Sequence, residues 1–189
     1  AFRSLEAFSP RIGAPARASG PCGRGRGGFV LADGAGMMVL EEYEHAKARG
    51  ATVLGEVIGY GASGDAYHIT SPPSDGHGAM QAMQMCLESG NISLDEVDYI
   101  NAHGTSTPQG DIAETNAVKA VFGDRAKQLI FASTKSMTGH ALGAAGAIEA
   151  VVSLLVARTG EVPPTINNDE PDPEDDLDCV PTVTRSQPA

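Results

Sequence analysis

The sequence contains no tryptophan and few basic residues: 13 Lys and Arg stand against 24 Asp and Glu, a formal net charge of −11 over 189 residues. Charge of this sign argues against a nucleic-acid-binding surface and against attachment to anionic lipid, because both use clustered Lys and Arg. No apolar run approaches the ~18 residues that a membrane span needs, and residues 1–6 carry no signal-peptide pattern. We therefore expect neither a nucleic-acid partner nor a membrane association.

Cysteine is also scarce, with three residues, Cys22, Cys86 and Cys179. Their odd number and wide separation argue against a disulfide framework, and no pair has the spacing of metal ligands. Free thiols are typical of a reducing compartment, so the sequence favours a cytoplasmic protein.

What is present fits a globular protein, with 41% hydrophobic and 20% charged residues. Apolar runs bounded by glycine and polar clusters predict strands over 29–31, 37–40, 53–60, 97–102 and 129–132. Helices are predicted over 41–49, 78–89, 111–122 and 142–158, with Gly90 as the stop of the second and a capping box at Ser93 and Glu96. Residues 163–189, rich in prolines and acids, are predicted to form a surface excursion with at most one strand. Alternating strands and helices predict an α/β fold with some parallel pairing.

Two strand-to-loop transitions hold the groups that could carry chemistry. His103 follows the predicted strand 97–102, at the edge where open α/β sheets place ligands. Lys135 and His140 follow strand 129–132 and precede a helix of small residues. Taken singly, each has an ordinary structural explanation, as a hydrogen-bonding loop histidine or a solvated lysine. Together they indicate a site that handles an oxyanion or a carboxylate, without naming a reaction.

Longer strings at these two transitions carry a family resemblance. Asn-Ala-His-Gly-Thr-Ser-Thr-Pro at 101–108 and Thr-Lys-Ser-Met-Thr-Gly-His at 134–140 resemble the two histidine motifs of β-ketoacyl-acyl-carrier-protein synthases. The stretches 28–36, 41–50 and 162–167 agree as well, and Asp65-Ala66-Tyr67-His68 resembles the synthase II branch. The resemblance is close over residues 28–180.

The resemblance implies an acyltransferase that joins an acyl thioester to malonyl-acyl carrier protein by decarboxylative Claisen condensation. His103 and His140 would stabilise the enolate, Lys135 would organise the site electrostatically, and Glu149 would be its buried acidic partner. Thr105 and Thr107 would bind the pantetheine arm of the carrier protein through their hydroxyl groups. Thr70 would bind substrate near the entrance, in a loop that also contains Asp65 and His68. No metal or organic cofactor is implied.

The family fold is thiolase-like, α/β, with αβαβα layers and usually a homodimer. The resemblance places residues 1–50 at the end of the N-terminal ketoacyl-synthase half and residues 51–189 in the C-terminal half, without its last strands. None of the three cysteines has the small-residue surroundings of the family's nucleophile, so we expect a fragment whose nucleophile lies upstream. Alone, the fragment is predicted to be poorly soluble and inactive.

Three alternatives and one anomaly remain open at this point. A polyketide ketosynthase would use the same chemistry on other substrates. A non-catalytic chain-length-factor-like partner would tend to lose the two histidines, and a thiolase would lack the 134–140 string.

Between residues 8 and 27, acids typical of the family are replaced by Gly13, Gly23 and Gly27. Reading errors in GC-rich coding sequence and real divergence in a loop both explain these glycines.

Overall fold

The structure is a computed structural model that describes residues 5–186. The outer ends of the two predicted domain ranges, residues 1–4 and 187–189, lie outside the described residues. The helices are α1 (Tyr43–Ala48), α2 (His77–Gly90), α3 (Pro108–Phe122), α4 (Lys135–Thr138) and α5 (Ala145–Thr159). The strands are β1 (Tyr99–Asn101), β2 (Ile130–Ala132), β3 (Glu161–Val162) and β4 (Arg185–Ser186).

The centre of the described fold is the parallel pair of β1 and β2, joined through α3. Tyr99 pairs with Ile130 and Asn101 pairs with Ala132. Because parallel strands end at the same sheet edge, the loops that follow β1 and β2 meet there. The predicted parallel pairing is therefore confirmed. The neighbouring core is apolar and contains, among others, Ala102, Val118, Phe122, Leu129 and Phe131.

All four predicted helices are present, with small shifts at their ends. Helix α3 begins at Pro108 rather than at 111, since proline is well suited to the first turn. The predicted capping box between Ser93 and Glu96 is present. Gly90 is still helical, and the left-handed residue that ends α2 is Asn91, with φ +49°. Asparagine is the non-glycine residue that most readily adopts this conformation.

The predicted strands over 29–31, 37–40 and 53–60 are wrong. Within residues 5–186 these stretches form only the isolated bridges Phe8–Phe29 and Leu31–His140. A strand needs a partner for its backbone groups, and the stretches 37–40 and 53–60 find no ladder among the described residues. Their apolar side chains face outward instead, as Met37 (92% exposed) and Val39 (82%) illustrate.

The prediction that no stretch approaches a membrane-spanning length is also wrong. Leu142–Thr159 forms a helix long and apolar enough to cross a bilayer. One such helix is a weak indication, since helices of soluble proteins meet the same criterion. This helix carries Glu149, which is ion-paired with Lys135.

The predicted surface excursion after residue 163 is partly buried, although residues 181–186 are exposed. Leu177, Cys179 and Val180 have almost no exposed surface. The backbone N–H of Phe131 donates to the Asp178 carbonyl at 2.9 Å, so this segment lies directly beside β2. Strands β3 and β4 then pair antiparallel.

Candidate active site

His103 is held at the end of β1 by a carboxylate that sequence analysis missed. The backbone N–H groups of His103 and Gly104 donate to the two oxygens of Glu114, at 2.7 and 2.9 Å. Burial raises the pKa of Glu114, and the two N–H donors and the charge of Lys135 oppose that rise. An acid on the buried side of α3, one turn after Asp111, was the available signal in the sequence.

A glycine lets the two predicted loops touch. A Cβ at Gly104 would lie 2.5 Å from the Cβ of Ser133, and its φ of +36° disfavours other residues. The Ser133 hydroxyl donates to the Gly104 carbonyl at 2.8 Å. The loop after β1 is thereby fixed against the loop after β2.

His140 faces His103 across this junction. The ring centroids lie 5.2 Å apart, with the planes at 87°. The backbone of His140 is anchored on both sides: its N–H donates to the Val30 carbonyl at 2.7 Å, and its carbonyl accepts from Ala32 at 3.1 Å. The ring also packs edge-to-face on Phe29, at 5.2 Å between centroids. The two histidines predicted to act together are therefore neighbours.

The pKa values of both imidazoles are lowered, which favours their neutral forms. His103 keeps exposed surface, yet the protein packed around the rest of its ring, together with the charges of Lys135 and His140, lowers its pKa to about 4. Burial and then Lys135 lower the pKa of His140. The backbone N–H of Leu142 donates to His140 Nδ1 at 3.3 Å, so the neutral ring carries its proton on Nε2. His140 Nε2 is thus a hydrogen-bond donor.

Lys135 and Glu149 form an ion pair beneath the histidines. The lysine side chain is 1% exposed and that of Glu149 is 16% exposed. Asn101, the last residue of β1, donates to the Glu149 carbonyl at 3.4 Å. Because the Lys135 side chain is almost fully buried, water screens the charge of its ammonium only weakly.

The predicted substrate-binding hydroxyls are divided between a groove and the interior. Thr70 and Thr107 line one open groove, together with Gly28 and Gly110. Thr105 is buried, and its hydroxyl lies 3.1 Å from that of Thr107. His68 Nδ1 accepts from the backbone N–H groups of Thr70 and Ser71, each at 3.3 Å, which shapes the groove's rim.

Comparison with known protein families decides the assignment. The model of the beta-ketoacyl synthase C-terminal domain matches residues 54–169, which contain His103, Lys135 and His140. This chain belongs to the beta-ketoacyl synthase family. The resemblance drawn from the two histidine motifs is confirmed.

Curated relatives of this ketoacyl synthase chain carry a common name. It is 54% identical over 185 residues to 3-oxoacyl-[acyl-carrier-protein] synthase 2 of Vibrio harveyi, covering 97% of this chain and 45% of the relative. It is 52% identical over 184 residues to the protein of that name from Coxiella burnetii, covering 97% of this chain and 44% of the relative. The chain thus spans somewhat less than half the length of these relatives.

Solved ketosynthases share the fold. A structure described as a type II PKS acyl-carrier protein in complex with its ketosynthase bound to the hexaketide matches with a TM-score of 0.95 at 46% identity, covering 98% of this chain and 46% of that one. A beta-ketoacyl synthase from Burkholderia phymatum matches with a TM-score of 0.87 at 36% identity, covering 98% of this chain and 45% of that one. The predicted α/β, thiolase-like fold is therefore confirmed.

The arrangement in this synthase segment suits the stabilisation of a developing oxyanion. Two neutral imidazoles are neighbours, and the buried ammonium of Lys135 is close to both. Negative charge that develops on an oxygen near the rings would therefore be stabilised by hydrogen-bond donors that are already in place. The cysteines lie elsewhere: Cys86 is on α2, and Cys22 and Cys179 share a buried cluster with Asp175.

Proposed function

We propose that this chain is part of a 3-oxoacyl-acyl-carrier-protein synthase of fatty-acid biosynthesis. The reaction is the decarboxylative condensation of an acyl thioester with malonyl-acyl carrier protein, which gives 3-oxoacyl-acyl carrier protein. The observation that carries the proposal is the pair of His103 and His140, with ring centroids 5.2 Å apart. The shared name of relatives such as that of Vibrio harveyi supports this substrate class.

In this mechanism the two histidines bind the thioester carbonyl oxygen of the malonyl unit. When the C–C bond to the carboxylate breaks and carbon dioxide leaves, the electron pair moves onto that oxygen as an enolate. Neutral imidazole N–H groups stabilise the enolate by hydrogen bonding without giving up a proton, which suits the lowered pKa values of His103 and His140. Lys135 adds a positive potential, and Glu149 holds its ammonium in place.

The enolate carbon then attacks the acyl thioester, forming a C–C bond and expelling a thiolate. We assign the acyl-bearing thiol to a cysteine of the synthase other than Cys22, Cys86 and Cys179, because Cys22 and Cys179 are buried and Cys86 lies in the last turns of α2. Thr70 and Thr107 would bind the amides of the pantetheine arm in their groove, with Thr105 orienting the hydroxyl of Thr107. No metal or organic cofactor takes part in these steps.

The domain ranges, the oligomeric state and the partner of the enzyme are also part of this proposal. We propose residues 1–50 as the end of an N-terminal ketoacyl-synthase half, residues 51–189 as the C-terminal half, and a cytoplasmic homodimer as the working enzyme. Acyl carrier protein is the proposed partner, supported by the similar ketosynthase whose structure includes one. The exposed apolar side chains of 37–40 and 53–60 need a cover, so the segment alone should be inactive and poorly soluble.

The test is the decarboxylation of malonyl-acyl carrier protein by the full-length synthase. His103→Asn and His140→Asn should each lower kcat by about 10²–10³, the loss typical for one oxyanion donor. His45→Asn is the matched control, because His45 is an exposed histidine on α1. Decarboxylation at the wild-type rate in both site variants would exclude the proposed role of the pair.

A polyketide ketosynthase is the second candidate, with less support from the comparisons. The type II PKS ketosynthase complex matches this chain at 46% identity, against 54% for the Vibrio harveyi fatty-acid enzyme. Products made from malonyl-acyl carrier protein alone separate the two: successive condensations without reduction indicate a polyketide enzyme. A silent chain-length-factor role would give no condensation in either assay.

A further inference from the structure

Two cysteines and an aspartate, residue types that can bind metals, meet in the interior next to α3. The sulfurs of Cys22 and Cys179 and a carboxylate oxygen of Asp175 all lie within 4.8 Å of one another. Each residue is almost fully buried, with 2%, 4% and 3% of its surface exposed. The cysteines are far apart in sequence, so their meeting is a product of the fold.

The surrounding backbone fixes this cluster in place. The Cys22 carbonyl accepts from the N–H of Asp172 at 3.0 Å, and the Cys22 N–H donates to Asp111 at 3.4 Å. Cys22 has a φ of +61°, an unusual conformation for a non-glycine residue, which these contacts hold. The position of Cys179 follows from the parallel bridge of its neighbour Asp178 to Ile130 of β2.

One buried carboxylate oxygen in the cluster has no nitrogen or oxygen donor among residues 5–186. The Thr115 hydroxyl donates to Asp175 Oδ1 at 2.6 Å. Asp175 Oδ2 is buried and has no hydrogen-bond partner of good geometry among residues 5–186, while the carboxyl group faces the Cys22 thiol. The Cys22 thiol is a weak hydrogen-bond donor to this carboxyl group, and a cation would satisfy the buried oxygen better.

Negative charge also outweighs positive charge here. Asp111 and Asp175 are buried, and Asp172 is close by. The cation that pairs with them is Arg26, at 2.9 Å from Asp172 and 4.0 Å from Asp111. The loss of two thiol protons on binding would offset the charge of a divalent cation, so the net charge of the cluster would not change.

We propose that Cys22, Cys179 and Asp175 bind one thiophilic divalent cation, for which Zn²⁺ fits best. Two sulfurs and one carboxylate oxygen are zinc donors, and water would complete a tetrahedron. Zinc–ligand bonds of ~2.0–2.3 Å place neighbouring donors roughly 3.5–3.8 Å apart, so donor atoms that lie within 4.8 Å of one another need to approach by at most about 1.3 Å. Each thiol loses a proton as its Zn–S bond forms, with no oxidant required. The site is independent of the proposed condensation chemistry.

The experiment uses the full-length protein, reduced with a phosphine and freed of metal with a chelator, then titrated with Co²⁺ and Zn²⁺. We expect one equivalent per chain, thiolate-to-Co²⁺ charge-transfer absorption, and the release of protons on binding. Cys22→Ser and Cys179→Ser should lose both the equivalent and the absorption band. Cys86→Ser, which removes the half-buried thiol on α2, should bind like the unmodified protein.

A measurement on the unmodified protein guards against variants that fail to fold. X-ray absorption at the zinc edge should give two sulfur ligands at ~2.3 Å and lighter ligands at ~2.0–2.2 Å. A shell of only nitrogen and oxygen would overturn the proposal, as would the absence of binding. So would a protein lighter by two hydrogens, with Cys22 and Cys179 joined in a disulfide.

Discussion

Lys135 and Glu149 form an ion pair inside the protein, with 1% of the lysine side chain exposed. The two residues belong to separate helices: Lys135 begins α4, directly after β2, and Glu149 lies in the second turn of α5. The pair therefore joins the loop that leads to His140 to the helix that follows it. Because both charges are shielded from water, removal of one partner leaves the other charge unpaired in the interior and destabilises the fold.

Breaking this pair should destabilise the protein more than replacing both partners. Glu149→Gln leaves an uncompensated ammonium in the interior, and we expect a loss of about 3 kcal/mol in the free energy of unfolding. The double variant Lys135→Met/Glu149→Leu should lie closer to wild type in stability while losing condensation activity. Urea unfolding of the full-length synthase measures both. Equal stability of the single variant and wild type would mean that the pair is solvated.

Glu114 should act as a positioning residue for His103. In Glu114→Gln one oxygen becomes an NH₂ group that faces a backbone N–H, so one of the two hydrogen bonds to His103 and Gly104 is lost. A buried donor left unpaired costs about 1–3 kcal/mol. We expect lower kcat with an unchanged KM for malonyl-acyl carrier protein. Glu88→Gln, on the exposed face of α2, is the control.

Features of this protein that depend on residues close together in the sequence could be predicted, whereas features that depend on distant parts of the chain could not. The presence of the four longer helices and the capping box at Ser93 follow from local chemistry and were predictable, whereas the helix ends were predicted only to within about three residues. The meeting of His103 and His140 follows from one parallel pairing. The conformation of 37–40 and 53–60 depends on which backbone lies beside them, and an apolar run does not reveal that. The proximity of Cys22 and Cys179 depends on the whole path of the chain, so spacing rules could not detect it.

The histidine pKa values predict how stability changes with pH. An unfolded histidine titrates near 6.5, whereas the pKa of folded His103 is lowered to about 4. Between these values the unfolded chain binds a proton that the folded chain does not, so this stabilisation is full above about pH 6.5 and is lost as the pH falls towards 4. His103→Asn should flatten the curve of unfolding free energy in this range. An unchanged slope would place the titrating group elsewhere.

The two threonines of the first motif should behave differently on substitution. Thr107 lines the open groove, whereas Thr105 is buried beneath it. Thr107→Val should raise KM for acyl-carrier-protein substrates by about 2–10-fold, the value of one hydrogen bond, with little change in kcat. Thr105→Val should mainly lower the melting temperature. A larger KM effect at Thr105 would reverse the assignment of the groove.

The glycines of the unusual segment 8–27 are not all required by the backbone. A Cβ at Gly13 meets nothing within 4 Å, whereas a Cβ at Gly28, just after the segment, would lie 2.5 Å from the Phe8 backbone at a φ of +137°. Gly13→Ala should therefore stabilise the protein by about 0.4–1 kcal/mol, chiefly by restricting the unfolded chain, and Gly28→Ala should destabilise it by more. Denaturant unfolding of both variants checks this. Destabilisation by Gly13→Ala would mean that this loop has a role that its open surroundings do not reveal. That outcome would favour real divergence of the segment over reading errors in its coding sequence.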